Sequence, residues 1–193
     1  MIHFDNIIEI RLWQMRNVIT TQEELEKVVD LTETERVGIS SAAKVVKMRI
    51  SPHVITMMDK NNQNDPLRLQ FIPSAKEIDS LENSLLFADV NADDRYSPVE
   101  GLIHRYPTKV LIFPTNYCGS YCRYCFRRKL VRESEKSLAK AKYQAIFNYL
   151  KSHPQVNEAI LSGGDPLVLD DEFLGYILTN LRQIKSIKIL RIH

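Results

Sequence analysis

Residues 109–128, KVLIFPTNYCGSYCRYCFRR, join a run of strand-forming residues to a segment that holds every cysteine of the 193-residue chain. Cys118, Cys122 and Cys125 stand at the spacing Cys-x3-Cys-x2-Cys. Cysteine thiolates are the usual ligands of iron–sulfur clusters, and a [4Fe–4S] cube held by only three of them keeps one iron free for another ligand. The spacing therefore predicts an iron–sulfur site whose open iron is available for chemistry.

Two other uses of the cysteines fit this spacing less well. A structural zinc ion takes four Cys or His ligands, so it would need His104 or His153 from outside the segment. Three cysteines cannot all pair in disulfides, and such short spacings are more typical of metal binding or catalysis in an intracellular protein. Zinc is therefore the alternative metal.

The composition is that of an ordinary globular protein, with 44% hydrophobic and 26% charged residues. The formal net charge of +2 gives no reason to expect a nucleic-acid partner. The basic run Arg127, Arg128 and Lys129 follows the cysteines, where it can serve an anionic ligand. The first residues do not resemble a signal peptide and no apolar run is long enough to span a membrane, so we expect a cytoplasmic protein without membrane contacts.

The first half of the sequence predicts short helices. Two capping-box patterns, Thr-x-x-Glu, start at Thr21 and Thr32, and in each the side chain of one residue binds the backbone N–H of the other. We expect a third helix within residues 51–59, where a proline occupies the first turn. The prolines and polar residues between this helix and Pro107 favour irregular chain.

From Lys109 the pattern changes to alternating strands and helices. Continuous apolar runs predict buried strands, and apolar residues at helical spacing predict amphipathic helices. The segments are strand 109–115, helix 139–152, strand 158–164, helix 170–184 and strand 187–193. This order indicates an α/β fold with a parallel sheet and right-handed crossovers, which is either a doubly wound sheet or a (β/α) barrel.

The turn after the second of these strands contains Ser162, Gly163, Gly164 and Asp165. Because parallel strands end at one edge of a sheet, we expect this turn and the cysteine segment at the edge where α/β folds place their sites. The two glycines allow the backbone to approach a ligand closely, and the Asp165 carboxylate can cap a turn or bind an ammonium group. A glycine pair after a strand is by itself also typical of an ordinary turn.

The cysteine segment and the glycine-rich turn are similar to the motifs of radical S-adenosylmethionine (SAM) enzymes. The ordered set WQMRNVIT, ISPHVITMMD, NDPLRLQFIPS, SPVEGLIHRYPTKVL, CRYCFRR, LSGGDPL and LRIH resembles the lysine 2,3-aminomutase family along nearly the whole chain. The resemblance implies a helical N-terminal arm and connecting segment at residues 1–107, followed at residues 108–193 by the first three βα units of a partial (β/α)6 radical SAM barrel. It also implies that the chain is the N-terminal part of such an enzyme and is inactive alone.

The resemblance further implies roles for individual residues. The three cysteines hold a [4Fe–4S] cluster, and SAM is held by the glycine-rich turn and by the ring of Tyr124. Arg105 and Lys109 bind the phosphate of pyridoxal 5'-phosphate (PLP), although Thr108 and Lys109 stand where Asp and Arg are commoner. Arg127 pairs with the substrate carboxylate, for which a planar guanidinium is suited.

The activity that follows from the resemblance is migration of an amino group from C2 to C3 of an amino acid. The cofactors are the [4Fe–4S] cluster, SAM and PLP, and a reductant protein supplies the electron. The expected substrate is L-lysine, for free-lysine metabolism or for the modification of elongation factor P, and glutamate and other amino acids stay open. The protein could also form a homo-oligomer. The alternative to an aminomutase is a non-catalytic remnant that binds an iron–sulfur cluster or zinc.

Overall fold

The computed structural model describes residues 7–42, 47–78, 93–127 and 136–193. These residues form two compact units. The first unit contains the described residues up to 78 together with 119–127, and the second contains 93–118 and 136–193. The predicted domain division at residue 107 stays a prediction. Arg128 and Lys129 of the predicted basic run, and part of the predicted connecting segment, lie outside the described residues.

Short helices build the described part of the first unit. They are α1 (Ile7–Arg16), α2 (Gln22–Glu26), α3 (Glu33–Ala42), α4 (Pro52–Met57), α5 (Pro66–Phe71) and a 3₁₀-helix (Ala75–Ile78). Both predicted capping boxes are confirmed. The hydroxyl of Thr21 accepts a hydrogen bond from the N–H of Glu24, whose carboxylate accepts one in return. Thr32 and Glu35 do the same at the start of α3.

Two α-helices and the 3₁₀-helix lie between residues 51 and 78, and only one helix was predicted there. The expected helix is α4, which Ser51 caps. The expectation of irregular chain after it was wrong at α5, where Asp65 accepts a hydrogen bond from the N–H of Arg68 at 2.8 Å and Pro66 occupies the first turn. Asp at the cap and Pro at the next position start helices because together they satisfy one free N–H and remove another.

The core of the first unit is apolar and contains a buried ion pair. Its apolar members are Leu25, Val29, Leu31, Ile39, Met48, Ile50, Ile55, Met58 and Ile72. The guanidinium of Arg68, which is 1% exposed, binds Glu35 with Nε–Oε1 2.6 Å and Nη2–Oε2 2.8 Å. Burial raises the pKa of the Glu35 carboxyl, but hydrogen bonds from Arg68 and Thr32 outweigh burial and hold the pKa below its ordinary value. Loss of one partner from such a pair costs about 3–5 kcal/mol of stability.

The second unit is built on a four-stranded mixed sheet in the order β1-β2-β3-β4. The strands are β1 (Leu102–Tyr106), β2 (Lys109–Thr115), β3 (Glu158–Gly163) and β4 (Ile189–Ile192). The three predicted strands are confirmed as β2, β3 and β4, and they are parallel. The expectation of irregular chain before Pro107 was wrong at β1, which pairs with β2 in an antiparallel hairpin. Pro107 lies in the two-residue turn of that hairpin, where it breaks no pairing.

Both predicted crossover helices are present and pack on one face of the sheet. They are α6 (Tyr143–Ser152) and α7 (Asp171–Arg182), and short 3₁₀-helices occupy Asp93–Tyr96, Lys140–Lys142 and Pro166–Val168. Residues from both helices share a core with Val110, Ile112, Ala159 and Leu161, which alternate along β2 and β3. The fold class is therefore mixed α/β with an open sheet, and the barrel stays a prediction. No helix in the described ranges is long and apolar enough to cross a membrane.

The opposite face of the sheet carries the other set of alternating residues. These are Lys109, Leu111 and Phe113 of β2 and Glu158, Ile160 and Ser162 of β3. Neither α6 nor α7 contributes to this face, because both belong to the core on the other side. The face that neither α6 nor α7 covers therefore carries the charged side chains of Lys109 and Glu158.

Tyr143 on α6 generates a stability prediction. Its side chain is fully buried, and its hydroxyl has no hydrogen-bond partner in the part of the chain that the structure describes. An unsatisfied buried hydroxyl costs about 1–3 kcal/mol. We therefore expect Tyr143→Phe to raise the free energy of unfolding at neutral pH by roughly 1 kcal/mol, measured by urea denaturation. Tyr106→Phe, at a position that is 58% exposed, is the control and should have no effect.

The pH dependence of the same variant is a second readout. Burial raises the pKa of the Tyr143 phenol above its ordinary value of 10.0. The unfolded chain therefore loses this proton first, so the wild-type protein loses stability as the pH rises above about 10. Tyr143→Phe should lose less stability over that range. A Phe variant that is less stable at neutral pH, or equally sensitive to alkali, would contradict the buried, unpaired hydroxyl.

Candidate metal and cofactor site

Cys122 and Cys125 lie in a tight turn of the first unit. The N–H of Cys125 donates to the carbonyl of Cys122 at 3.2 Å, and both thiols are half-buried and form no disulfide. Tyr124 between them is 64% exposed. Hydrogen bonding with the Cys122 thiol raises the pKa of the Tyr124 phenol. Four consecutive residues thus supply two candidate metal-ligating thiols and an exposed aromatic ring.

The residues just before Cys122 are bound to the segment that precedes α4. The N–H of Tyr121 donates to the carbonyl of Arg49 at 2.8 Å, and the Arg49 guanidinium lies 5.9 Å from the centroid of the Tyr121 ring. The hydroxyl of Ser120 accepts a hydrogen bond from the N–H of Ser51 at 2.9 Å. Tyr121 is itself buried. These contacts make the cysteine turn a part of the first unit, the helical unit.

Arg123, which follows Cys122 directly, is also bound to the helical unit. Its N–H donates to the carbonyl of Gln70 at 2.7 Å. Its side chain is 6% exposed and binds the carboxylate of Glu77 through Nη2–Oε2 at 2.6 Å and Nε–Oε1 at 3.0 Å. A further hydrogen bond at 3.3 Å joins its Nη1 to the carbonyl of Lys47. A charged residue between two ligand positions is therefore buried and paired.

Cys118 belongs to the second unit and follows the end of β2. The N–H of Asn116 donates to the carbonyl of Lys136 at 2.9 Å, and the N–H of Tyr117 donates to the hydroxyl of Thr115 at 3.1 Å. The Cys118 thiol is half-buried and forms no disulfide. Within the described ranges, no three His, Cys, Asp or Glu side chains are gathered as metal ligands. The donor chemistry still fits a [4Fe–4S] cluster, because none of the three cysteines forms a disulfide.

The glycine-rich turn after β3 packs against the chain that leads to Cys118. The N–H of Gly164 donates to the carbonyl of Thr115, and the N–H of Asp165 donates to the carbonyl of Tyr117, both at 2.8 Å. Gly163 has φ +108°, a conformation that residues with a side chain rarely adopt. A Cβ at Gly164 would collide with the carbonyl oxygen of Tyr117. Both glycines are therefore required by the local geometry.

Asp165 and Ser162 occupy the two ends of this turn. Oδ1 of Asp165 accepts a hydrogen bond from the N–H of Leu167 at 2.9 Å and caps the 3₁₀-helix that follows. This is the capping role that the sequence allowed, and a cofactor role for the same carboxylate stays a prediction. Ser162 is half-buried at the end of β3.

Arg105 and Lys109 lie on the hairpin of β1 and β2. The Arg105 guanidinium lies 5.4 Å from the centroid of the Tyr96 ring. Lys109 Nζ is 3.8 Å from Oε2 of Glu158, and Arg191 Nε is 2.8 Å from Oε1 of the same carboxylate. Three neighbouring strands thus contribute one network of two cations and one largely buried anion. Glu158 and Arg191 were not predicted as site residues from the sequence. The signal for Glu158 was an acidic residue at the start of an otherwise apolar strand, where a buried carboxylate needs a cationic partner.

These cations and the glycine-rich turn lie at opposite ends of the parallel strands. Lys109 begins β2, and Cys118 follows the end of that seven-residue strand. The structure therefore brings the glycine-rich turn close to the residues before Cys118, and it brings Lys109 close to Glu158 and Arg191, but it does not bring the two groups together.

Arg127 lies in the first unit, close to the cysteine turn in sequence. It is half-buried, and its guanidinium is 4.6 Å from the centroid of the Phe126 ring. Phe126 itself is 57% exposed. A guanidinium that stacks on an aromatic ring has a restricted orientation, which suits the recognition of a planar carboxylate.

The histidines that a zinc site would need are part of an aromatic cluster at the end of α6. Nδ1 of His104 is 2.8 Å from the hydroxyl of Tyr149. The ring of His153 stacks on Tyr149 with a centroid distance of 3.9 Å, and its Nδ1 is 2.7 Å from the Tyr149 carbonyl. Packing accounts for both imidazoles without a metal.

Comparisons with known proteins agree with an iron–sulfur site at the three cysteines. The 4Fe-4S single cluster domain family matches residues 106–191. The L-lysine 2,3-aminomutase of Clostridium subterminale is 41% identical over 93% of this chain and 43% of that protein, and the L-lysine 2,3-aminomutase of Bacillus subtilis is 36% identical over 94% and 38%. The chain matches the N-terminal part of the lysine 2,3-aminomutase family. The glutamate 2,3-aminomutase of Clostridioides difficile is 29% identical over 93% of this chain and 42% of that protein. The chain thus spans less than half the length of these relatives.

Alanine substitutions at two glycines, Gly164 in the glycine-rich turn and Gly175 in α7, should change the free energy of unfolding in opposite directions. The collision at Gly164 forces the backbone to move, and overpacking of this kind costs about 1–3 kcal/mol. We expect Gly164→Ala to lower the free energy of unfolding by that amount in urea denaturation. At Gly175 in α7 an added Cβ meets nothing within 4 Å. Gly175→Ala should therefore stabilise the helix by about 0.5–1 kcal/mol. Equal effects at the two sites would exclude a close approach at Gly164.

Proposed function

We propose that this chain is the part of a radical SAM aminomutase that holds the [4Fe–4S] cluster and SAM. The observation that carries the proposal is the Cys-x3-Cys-x2-Cys segment, which contains every cysteine of the chain and lies in the region that matches a 4Fe-4S family. Three thiolates leave one iron open, and in the family that the sequence resembles this iron binds the amino and carboxylate groups of SAM. When bound, the reduced cluster supplies the electron that cleaves SAM.

SAM is assigned to the carboxyl edge of the parallel strands. The glycine-rich turn is hydrogen-bonded there to the segment that leads to Cys118. Its two glycines let the turn pack closely on Thr115 and Tyr117, which holds its backbone at this edge of the sheet. The exposed ring of Tyr124 offers an apolar face for the adenine or the sugar. Ser162 and Asp165, at the two ends of the turn, are the remaining residues proposed to bind SAM.

PLP is assigned to the other end of the strands. Lys109 and Arg191 place two positive charges beside the single carboxylate of Glu158, and this excess of charge fits a phosphate. Arg105, on the neighbouring strand β1, is the other proposed phosphate ligand. Lys109 is 45% exposed despite its contact with Glu158. When bound, PLP supplies an electron-accepting ring for the amino migration. The chain's own residues hold the phosphate and fix its orientation.

The proposed reaction moves an amino group from C2 to C3 of an amino acid, and L-lysine is the proposed substrate. The names of the relatives support this choice, since those with 41% and 36% identity are lysine enzymes and the glutamate enzyme is 29% identical. A partial (β/α)6 barrel is proposed from the resemblance to the family. The packing of α6 and α7 on one face of the sheet is compatible with it, because two right-handed crossovers that step in the same direction lie on the same face. Arg127 is the proposed partner of the substrate carboxylate.

The cluster proposal has a direct test. Anaerobic reconstitution with iron and sulfide should give about one [4Fe–4S] cluster per chain. Addition of SAM and dithionite should then release 5'-deoxyadenosine, measured by chromatography. Replacing any one of the three cysteines with alanine should abolish both the iron–sulfur absorbance and the product. One equivalent of zinc, bound in place of iron and sulfide, would instead support a non-catalytic metal-binding remnant.

A second test concerns Arg127 and uses a form of the protein long enough to turn over L-lysine. Arg127→Lys loses the bidentate contact with the carboxylate, so the KM for L-lysine should rise roughly 10- to 100-fold. The cluster absorbance should not change. Arg95→Lys is the matched control, because Arg95 also stacks on a neighbouring ring, at 5.8 Å from Tyr96. An unchanged KM in Arg127→Lys would remove Arg127 from the site.

A further inference from the structure

The peptide on either side of Cys122 is fixed to the helical unit. The N–H of Tyr121 and the N–H of Arg123 both donate to carbonyls of that unit, those of Arg49 and Gln70, at 2.8 and 2.7 Å. Cys122 is therefore held between two backbone hydrogen bonds. The position of this ligand depends on chain segments that are more than fifty residues earlier in the sequence.

The side chain of Arg123 adds a third and stronger attachment. Charged side chains are rarely buried unless they are paired, and Arg123 is 6% exposed. Glu77, 17% exposed, accepts from both Nε and Nη2 of the guanidinium. Such a fork fixes the orientation of both side chains, which a lysine in the same place would not do. The attachment lies one residue from Cys122 and two residues from Cys125.

We propose that Arg123 and Glu77 are positioning residues for the iron–sulfur cluster. Their ion pair holds the turn that carries Cys122 and Cys125 in place on the helical unit, so that two of the three thiolates are preorganised before the metal binds. This inference rests on the cluster proposed above. It assigns the helical unit a role in the metal site itself, through the 3₁₀-helix Ala75–Ile78 and the end of α5.

A second ion pair in the same unit provides a matched control. Arg68 and Glu35 are likewise buried and joined at 2.6 Å, but they link α3 to α5 and not to the cysteine turn. Glu77→Gln and Glu35→Gln therefore break similar pairs in one unit. A purely structural role predicts the same consequence for both variants, whereas a positioning role predicts a difference at the metal.

The experiment compares iron release from the anaerobically reconstituted protein. An excess of an iron chelator is added well below the unfolding temperature of each variant, and the loss of the iron–sulfur absorbance is followed. Loss of a residue that orients a metal ligand typically weakens metal binding 10- to 100-fold. We expect Glu77→Gln to release iron roughly 10-fold faster than the wild type, and Glu35→Gln to release it at the wild-type rate although its unfolding temperature falls.

Arg123→Lys decides the matter if Glu77→Gln does not fold. It keeps the positive charge beside Glu77 but loses the fork, so its rate of iron release should also exceed that of Glu35→Gln. Equal rates in the variants of both pairs would overturn the positioning role and leave the cluster proposal intact. A wild-type protein that takes up no cluster would overturn both.

Discussion

The parallel pairing of β2 with β3 determines where the candidate cofactor residues of the second unit lie. Lys109 pairs with Glu158 at one end of the register and Thr115 with Gly163 at the other. The ends of β2 and β3 therefore carry the thiol and glycine chemistry, and their starts carry the Lys109–Glu158 pair. Seven residues of β2 separate the two groups, which is about 20 Å of extended chain. The sites proposed for SAM and PLP are therefore separated along β2 and β3.

The sequence was informative wherever one local pattern settled the structure. The apolar runs of β2 and β3 have no competing interpretation, because they are too short for helices and contain β-branched or aromatic residues. Both capping boxes are equally local, since donor and acceptor are three residues apart. β1 and α5 were missed for the opposite reason. Prolines beside them suggested irregular chain, but each proline occupies a position where a missing N–H does no harm.

For the candidate site, the sequence could identify donor types but not their partners. The cysteine spacing and the glycine pair are visible in a few consecutive residues. Arg123 and Glu77 are 46 residues apart, and Arg191 and Glu158 are 33 residues apart. Their pairing exists only once the helices or the strands have packed. Neither residue of the Arg123 pair is unusual in type, so nothing in the sequence distinguished them from solvent-exposed charges.

Buried ion pairs are an expensive way to gain stability, because removal of two charges from water consumes much of their mutual attraction. Apolar residues of similar volume often stabilise a core as well or better. The role proposed for the Arg123–Glu77 pair is therefore orientation, because the two thiols next to it are proposed to bind the cluster, whereas the Arg68–Glu35 pair joins α3 to α5 and has a structural role. The same argument applies to Glu158, whose carboxylate fixes Lys109 and Arg191 on neighbouring strands. Each pair orients a group that can bind a charged ligand, and orientation is what an apolar replacement could not provide.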